Sequence, residues 1–486
     1  MSFDTAFFVP GPAEQVRGRY CPYIYLAYLL PIGLMLLGFF CHEPWRDEIQ
    51  AWLMARDMDI PALIANAGAE GHPIGWHLIA KAFLSVGLPY ASLQVFSLAC
   101  GIAAAILLIR RGPFGPVVTF LLLLSPMFTL LGITARPYSL IVLLLFLHAF
   151  SFPRRMRHPF VHALLLGGLA QMHVLCLPYV GVMSLWWICG AMRSRAGWMT
   201  YLAQGLLVLI TSFAVWQLIP PVDKAVAMLA SRQQTVTSWF LAGIDPLALA
   251  VLLPPFALIA IWAVLLWGRH PMLMLAAAGS SLFAALVNYC VYPLSSCHWY
   301  MVLGILTALT WIAHANTFPG CMGRYRKAVV CPLACACLLS YPGGALEFHR
   351  ETVLPSSNLS EAEIYVREHL AGTPTAVHTM ARVCPLLREL PGKRLWNPVG
   401  RKWGTYAVFD ADWQKSRNMT VAEAARVILE HCPEKRPAMI FSSPWDEAGQ
   451  SGYVRVIDFS GPTAYEENLY IYLPAEKIAP AVQPPQ

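Results

Sequence analysis

Carboxylates are nearly absent from the middle of this chain. Between Gly71 and Leu346 the sequence contains two acidic residues, Asp223 and Asp245. Over the whole chain 13% of the residues are charged and 57% are hydrophobic, whereas a soluble globular protein is about one quarter charged. The shortage of charge therefore excludes an ordinary soluble protein and indicates a membrane protein.

Several motifs are missing as well. No basic stretch interleaved with aromatic residues occurs, so the net charge of +7 does not predict nucleic-acid binding and has to be interpreted loop by loop. The polar C-terminal region contains neither a glycine-rich phosphate loop nor a nucleophile elbow, the turns that bind nucleotides or carry a catalytic serine. We therefore expect no nucleic-acid partner.

Long apolar segments recur along the first 345 residues. Runs of about 18 to 25 apolar residues are long enough to cross a hydrocarbon core about 30 Å thick. They predict an α-helical polytopic membrane protein with about eleven transmembrane helices. The predicted spans are residues 21–40, 90–109, 116–132, 138–152, 160–172, 174–191, 198–219, 246–267, 272–292, 300–317 and 328–345.

Five groups of basic residues in this region follow every second predicted span. They are Arg110, Arg111, Arg154, Arg155, Arg157, Arg193, Arg195, Arg269, Arg324, Arg326 and Lys327. The positive-inside rule places that side, together with the N-terminus, in the cytoplasm. The first loop, residues 42–77, and the C-terminal region then face the extracytoplasmic side. We expect a bacterial inner membrane and its periplasm.

Residues 346–486 differ in composition, since they hold seventeen of the 27 acids. Helical patterns alternate there with β-rich runs, which predicts a small periplasmic α/β domain with a disordered end. The predicted division is a transmembrane catalytic domain at residues 1–345 and this domain at residues 346–486. The sequence leaves open whether Cys384 and Cys432 form a disulfide.

The first loop concentrates the carboxylates that the spans lack. They are Glu43, Asp47, Glu48, Asp57, Asp59 and Glu70. Trp45, Ile49 and Trp52 recur at helical spacing, so we expect an amphipathic helix at the membrane interface with its Trp rings at headgroup depth. A second interfacial helix is expected to begin at Pro73.

Three of these acids are the candidate catalytic residues: Asp47, Glu48 and Glu70. A carboxylate on the wet side of an interfacial helix can act as a general base, and Asp47 is the leading candidate. A solvated helix face is the alternative explanation for the Asp47–Glu48 pair. Asp47 and His72 are also candidate ligands of a divalent cation, which the sequence leaves open.

The candidate substrate-binding residues are cations and their neighbours. They are Arg46, His72, His77, Arg136, Tyr138, Arg232 and His298. Arg136 lies in a short predicted outer turn, where its planar guanidinium suits a phosphate. The alternative is that Arg136 snorkels to the interface and that the histidines pack as ordinary buried residues.

Carboxylates and cations together at a lipid boundary favour one reaction type, the transfer of a group from a lipid-phosphate-linked donor to an acceptor. The departing phosphate needs cations to stabilise its charge, and a hydroxyl or amine acceptor needs a base to take its proton. A carrier or flippase for lipid-linked sugars is the alternative, because it would bind a similar ligand. Such a protein would place its ionisable groups near the membrane midplane.

Three short motifs carry a family resemblance: W-R-D-E at 45–48, E-G-H-P-I-G-W at 70–76 and A-R-P-Y at 135–138. With the span number and the polar tail, they resemble the GT-C superfamily of integral membrane glycosyltransferases. The most similar branch contains the protein O-mannosyltransferases and the lipid A aminoarabinose transferase. The resemblance covers roughly residues 20–345. Two departures are His72, where many members have lysine, and a second outer loop with Arg136 but no acid.

The resemblance implies sugar transfer from a polyprenyl-phosphate donor, without a nucleotide sugar, to a lipid, glycan or protein acceptor. It implies that Asp47 is the first-loop acid, acting as base or acceptor-positioning residue. It assigns the second conserved acid of the family and its adjacent cation to Glu70 and His72. A one-step attack implies inversion at the anomeric carbon. The sequence specifies neither the sugar nor the acceptor.

Overall fold

The computed structural model describes residues 13–219, 270–290, 295–315, 322–353, 358–409, 411–461, 463 and 468–478. The predicted span at residues 246–267 and the candidate residue Arg232 lie outside these described residues.

The described chain up to residue 353 is mainly helical, as expected for apolar segments that must satisfy their backbone hydrogen bonds internally. Its helices are α1 (Ala13–Cys41), α2 (Arg46–Asp57), α3 (Ile60–Glu70), α4 (Gly75–Ser85), α5 (Ala91–Arg111), α6 (Pro116–Leu124), α7 (Pro126–Thr129), α8 (Tyr138–Ser151), α9 (Pro159–Met172), α10 (Leu177–Ser194), α11 (Trp198–Gln217), α12 (Pro271–Cys290), α13 (Ser296–Ala315) and α14 (Met322–Val353).

Six of the described helices are long and apolar enough to cross a membrane, or seven if the bent pair α1 and α2 counts as one span. The six are α5, α10 with the turn before it, α11, α12, α13 and α14. The predicted number of eleven spans is not confirmed.

The third, fourth and fifth predicted spans explain physically why fewer spanning helices are found than predicted. The third is interrupted at Ser125, whose backbone is extended with ψ 155°, because the following Pro126 disfavours a helical conformation there. Helices α8 and α9 have 14 residues each, or about 21 Å at 1.5 Å per residue. That length is short of a hydrocarbon core about 30 Å thick.

Helices α2, α3 and α4 lie at one end of the helical region, which we call the first-loop end. There the Ile74 amide donates to Gln217 Oε1 at 2.9 Å, which joins the start of α4 to the end of α11. Gly75 packs so closely on α9 that a Cβ would collide with the Gln171 carbonyl oxygen. The turn before α8, residues 130–137, also lies at this end and is called the Arg136 turn.

Successive helices reverse direction between the two ends. Helices α5, α8 and α10 start at the first-loop end and finish at the opposite end. The arginines that follow them, Arg111, Arg154 and Arg195 among them, are therefore gathered at the opposite end. This arrangement separates the basic residues of the loops from the acids of α2 and α3.

The C-terminal region is built around one small sheet. Its strands are β1 (Thr375–His378), β2 (Leu395–Asn397), β3 (Lys402–Gly404), β4 (Ala438–Phe441), β5 (Tyr453–Phe459) and β6 (Leu469–Pro474). Its helices are α15 (Leu359–His369), α16 (Met380–Val383), α17 (Ala411–Asn418) and α18 (Val421–His431). The strand order is β3-β2-β1-β4-β6-β5, and β1 is parallel to both of its neighbours. The two central strands β1 and β4 are fully buried.

This C-terminal region packs directly on α2 and α4 and shares one hydrophobic core with them. The predicted position of the first-loop Trp rings at lipid headgroups is wrong for Trp52, which is 4% exposed. Its ring meets the edge of Tyr90 at 5.8 Å, and the C-terminal region covers the helix on which it lies. Arg56 reinforces the contact, since its Nη1 donates to the Leu387 carbonyl at 2.8 Å.

Candidate functional site

A cavity of about 130 Å³ lies at the first-loop end, between α2, α4, the Arg136 turn, the end of α9 and the C-terminal region. This volume is well above the roughly 15 Å³ that a single water needs. We call it the first-loop cavity, and its walls are Asp47, Gln50, Ala51, Glu70, His72, Pro73, Trp76, His77, Arg136, Pro137, Met172 and Phe409.

Five of the predicted site residues are brought together here, although they are spread from position 47 to position 136. They are Asp47, Glu70, His72, His77 and Arg136. Arg46 is not in the wall, but its Nε lies 3.5 Å from Asp47 Oδ1. Tyr138, Glu48 and His298 do not line the cavity either.

Asp47 is held in the first turn of α2, where the helix dipole favours a negative charge. Its side chain is 39% exposed. Arg136 donates from Nη1 to the Asp47 backbone carbonyl at 3.0 Å. The accessible Asp47 carboxylate is therefore paired with Arg46, and Arg136 is bonded to the backbone of the same residue.

Arg136 keeps its positive charge in this position. Burial alone would lower the pKa of the guanidinium, but the neighbouring Tyr138 and Asp47 raise the pKa of Arg136 above its usual value. Its Nε is buried and has no hydrogen-bond partner among the described residues. A charged donor with an unused N–H at a cavity wall is suited to an anionic ligand.

His77 is buried in the wall at 6% exposure. Burial, followed by the charge of Arg136, lowers the pKa of His77 to about 4, so the imidazole is neutral at pH 7. Its Nδ1 and the indole Nε1 of Trp76 are buried without a hydrogen-bond partner in the described part of the chain. Because buried polar atoms normally have partners, these two atoms also indicate a ligand.

Glu70 and His72 are brought side by side by the end of α3. Gly71 closes the helix in the left-handed conformation, with φ 76°, which glycine adopts without steric cost. Asn66 Nδ2 donates to Glu70 Oε1 at 3.4 Å. The two side chains consequently enter the cavity from one turn.

The His72 ring is the first of a buried cluster behind the cavity wall. It packs on His173 with ring centroids 4.6 Å apart, and His173 packs on His298 at 5.2 Å. Tyr138 contacts both, at 6.0 and 5.8 Å. The predicted residues His298 and Tyr138 are therefore behind the cavity, and they support His72.

Glu48 points away from the cavity, unlike its neighbour Asp47. Its carboxylate is fully buried and bonds His42 Nε2 at 2.8 Å, the Ala135 amide at 2.6 Å and the Tyr90 hydroxyl at 3.3 Å. The catalytic role expected for Glu48 has no support in this geometry, because protein groups occupy both of its oxygens.

The divalent-cation site that the sequence leaves open gains no support from the described residues. Asp47 and His72 line the same cavity, but no group of three or more His, Cys, Asp or Glu among the described residues could hold a metal ion. We derive no step through a metal. The disulfide left open by the sequence is absent too: both thiols are free, and Cys384 Sγ lies 3.4 Å from Gln50 Oε1.

Sequence reasoning missed several wall residues. Gln50 lies one helical turn after Asp47, and that spacing is a signal that could have identified it. Its amide pairs with the backbone of Ala407, donating at 2.6 Å and accepting at 3.1 Å. This pairing holds the C-terminal loop that brings Phe409 to the cavity. No local sequence signal identifies Phe409.

The chain matches no protein-family model and no curated protein.

Proposed function

We propose that this protein is a GT-C-like membrane glycosyltransferase that moves a sugar from a polyprenyl-phosphate donor to a lipid, glycan or protein acceptor. The observation that carries the proposal is the first-loop cavity, whose wall contains both the Asp47 carboxylate and the Arg136 guanidinium, with Arg46 paired to the same carboxylate at 3.5 Å. A base and a phosphate-binding cation within one cavity are the two requirements of this transfer.

In the proposed reaction, Asp47 takes the proton of the acceptor hydroxyl or amine. The acceptor atom forms a bond to the anomeric carbon, and the bond from that carbon to the phosphate oxygen breaks. The electron pair leaves with the polyprenyl phosphate, whose charge Arg136 and Arg46 stabilise. A single displacement of this kind inverts the anomeric configuration.

The neutral imidazole of His77 and the indole of Trp76 supply hydrogen bonds without adding charge. Both present a buried polar atom that a sugar hydroxyl or a phosphate oxygen would satisfy. Glu70, held at the end of α3, is a second acceptor of hydrogen bonds from sugar hydroxyls.

An apolar surface for the lipid chain lies close to the cavity. Trp216 in the last turn of α11 (58%) and Ile219 just after that helix (65%) are exposed. The Ile219 carbonyl lies so close to Gly68 of α3 that a Cβ there would collide with it. A polyprenyl chain on this surface would bring its phosphate to the first-loop end.

The basic residues support an orientation. The arginines that follow α5, α8 and α10 are gathered at the end opposite the first loop, and the positive-inside rule assigns that opposite end to the cytoplasm. The proposal therefore has the cavity and the C-terminal region on the periplasmic face of a bacterial inner membrane and the N-terminus inside. The resemblance of W-R-D-E, E-G-H-P and A-R-P-Y to GT-C enzymes agrees with this orientation, since those enzymes use extracytoplasmic lipid donors.

A carrier or flippase is the second reading of the same ligand chemistry. The buried histidines at the opposite end do not favour it, because His148 lies in the last turn of α8 and His162 in the first turn of α9. They are near helix ends rather than near the midplane, where a carrier binds its substrate.

The test is a donor panel. Purified wild-type protein in detergent receives polyprenyl-phosphate sugars of different headgroups with lipid, glycan and peptide acceptors, and mass spectrometry follows polyprenyl phosphate and the glycosylated product. We expect stoichiometric formation of both products with at least one pair. In vesicles that contain the purified protein, movement of intact donor across the bilayer with no release of polyprenyl phosphate would instead establish the carrier.

A further inference from the structure

A buried triad of charged side chains lies next to the first-loop cavity. His42 bonds Glu48 Oε1 through Nε2 and Glu351 Oε2 through Nδ1, both at 2.8 Å. The side chains of His42 and Glu48 are 0% exposed, and that of Glu351 is 7% exposed. The proposed reaction uses none of the three.

The imidazole of this triad is a cation. Burial would lower the pKa of His42, but Glu48 and Glu351 outweigh it and raise the pKa to about 10. Two carboxylates and one imidazolium carry a net charge of one negative unit. The Ala135 amide, at 2.6 Å, and the Tyr90 hydroxyl, at 3.3 Å, donate hydrogen bonds to Glu48 and stabilise this charge. The network is therefore satisfied as a unit.

The triad joins segments that are far apart in the sequence. His42 follows α1, Glu48 belongs to α2, and Glu351 lies near the end of α14. The Ala135 amide adds the Arg136 turn. Glu351 is 309 positions from His42, so one side chain ties the last described helix of the membrane region to the first loop.

Glu48 and its hydrogen-bond partner Ala135 are each next in the sequence to a residue of the proposed reaction. Glu48 directly follows Asp47, and its partner Ala135 directly precedes Arg136. Arg136 Nη1 in turn donates to the Asp47 carbonyl at 3.0 Å. The contacts therefore form a closed path through Asp47, Glu48, Ala135 and Arg136. Any shift of Glu48 would therefore change the separation between the base and the phosphate-binding cation.

We propose that His42 and Glu351 are positioning residues that hold Glu48, and through it set the geometry of Asp47 against Arg136. This inference rests on the proposed function. It assigns Glu48 a role in orientation rather than proton transfer, and it makes the end of α14 part of the active site's support.

The first experiment compares kcat and the donor KM of wild type, His42→Gln, the double variant His42→Gln with Glu351→Gln, and His349→Gln. His349 is an exposed histidine of α14, the helix that contains Glu351, and serves as the matched control. His42→Gln leaves two buried carboxylates without their cation, so we expect kcat to fall by about 100-fold, the cost of a displacement of about 1 Å. The donor KM should change little, because the groups that contact the donor remain.

The double variant should recover most of the lost kcat, since it restores one net negative charge and the hydrogen bonds of the triad. A purely structural role predicts the reverse, because two core substitutions destabilise a protein more than one. Equal kcat in wild type and His42→Gln overturns the inference while leaving the proposed function intact. Absence of turnover in wild type with every donor refutes the proposed function instead.

Hydrogen exchange measures the same triad without turnover. Residues 133–137 should exchange faster in His42→Gln than in wild type, because the Ala135 amide is held by Glu48. Their exchange should return to the wild-type rate in the double variant and stay unchanged in His349→Gln. An unchanged rate at residues 133–137 in His42→Gln, or a uniform increase across the protein, contradicts the positioning role.

Discussion

Two groups of histidines lie at opposite ends of the helical region and differ in what surrounds them. At the first-loop end the rings of His72, His173 and His298 pack at a tilt, with a closest centroid separation of 4.6 Å. At the opposite end the His148 and His162 rings pack at a tilt, 4.7 Å apart. Ring packing alone does not distinguish the two groups.

Their neighbours do distinguish them. His72 opens into a cavity with two carboxylates and a guanidinium. The opposite pair is closed by aromatic side chains, with His148 Nδ1 bonded to the Tyr179 hydroxyl at 2.7 Å and the Trp187 ring 4.8 Å from His162. Imidazoles that pack alike thus become a candidate site only where charge and space adjoin them.

The largest expected difference between the two ends is electrostatic. Arg136→Ala should lower kcat by about 10²- to 10³-fold, the usual cost of losing one donor to a developing negative charge. Arg155→Ala at the opposite end, where the guanidinium lies over the Phe152 ring at 4.1 Å, should leave kcat unchanged. Release of polyprenyl phosphate by equal amounts of folded protein measures both, and equal losses would remove the distinction.

The histidines themselves give the next effect. His173→Gln should lower kcat by about ten- to hundredfold, because His72 loses the ring that holds it at the cavity. His162→Gln is the matched control, since His173 and His162 are almost equally buried at 0% and 1% exposure. We expect similar losses of Tm in the two variants and a loss of kcat in His173→Gln alone. Equal kcat values for the two variants would assign His173 to packing.

The contribution of the C-terminal region to the cavity should be smaller. Phe409→Ala enlarges the cavity on that side, so we expect the acceptor KM to rise by up to about tenfold with slow donor hydrolysis by water unchanged. Val454→Ala, 39% exposed on β5, is the control. An unchanged acceptor KM in Phe409→Ala would exclude this wall from acceptor binding.

The smallest effect is on the pH dependence of stability. Burial lowers the pKa of His77 in the folded state to about 4, from an ordinary value of 6.5. The unfolded state therefore takes up its proton first, and stability falls as the pH drops from 6.5 to 4. His42 has a raised pKa of about 10, so its contribution is complete below 6.5 and is lost as the pH rises towards 10. Each of these two pH changes should lower Tm by a few degrees.

Thermal unfolding at a series of pH values measures both slopes. His77→Gln should flatten the acid slope and keep the alkaline one, and His42→Gln should do the opposite. Parallel curves for wild type and both variants would show that neither imidazole has the surroundings described above.

The sequence predicts the local features of the fold well. The apolar runs that the structure describes are helical, although several of these helices are too short to be counted as spans, and the β-rich runs predicted after residue 346 include AMIFSS and YVRVIDF, which contain β4 and β5. Both patterns depend on neighbouring residues. The break at Ser125 is local as well, and Pro126 is its signal. What the pattern could not give is the burial of Trp52, since the covering residues come more than 300 positions later.

The same distinction applies to the site. Asp47, Glu70 and Arg136 could be selected because charged side chains are scarce in this chain. His72 and His77 could be selected because they follow Glu70 closely in the sequence. Asp47 and Glu48 could not be told apart, because their difference arises from His42 on one side and Ala135 on the other. Phe409 and Glu351 depend on contacts across 300 residues or more and leave no trace in local spacing.

The most direct test of the account compares polyprenyl phosphate release by wild type, Asp47→Asn and Asp57→Asn with a donor and acceptor that support turnover. Asp57 is an acid of the same helix that pairs with Arg56 at 2.7 Å and does not line the cavity. Loss of a general base lowers the rate by about 10²- to 10⁴-fold, so we predict that loss for Asp47→Asn and wild-type release for Asp57→Asn. Wild-type release by folded Asp47→Asn would contradict the assignment of the first-loop cavity as the active site.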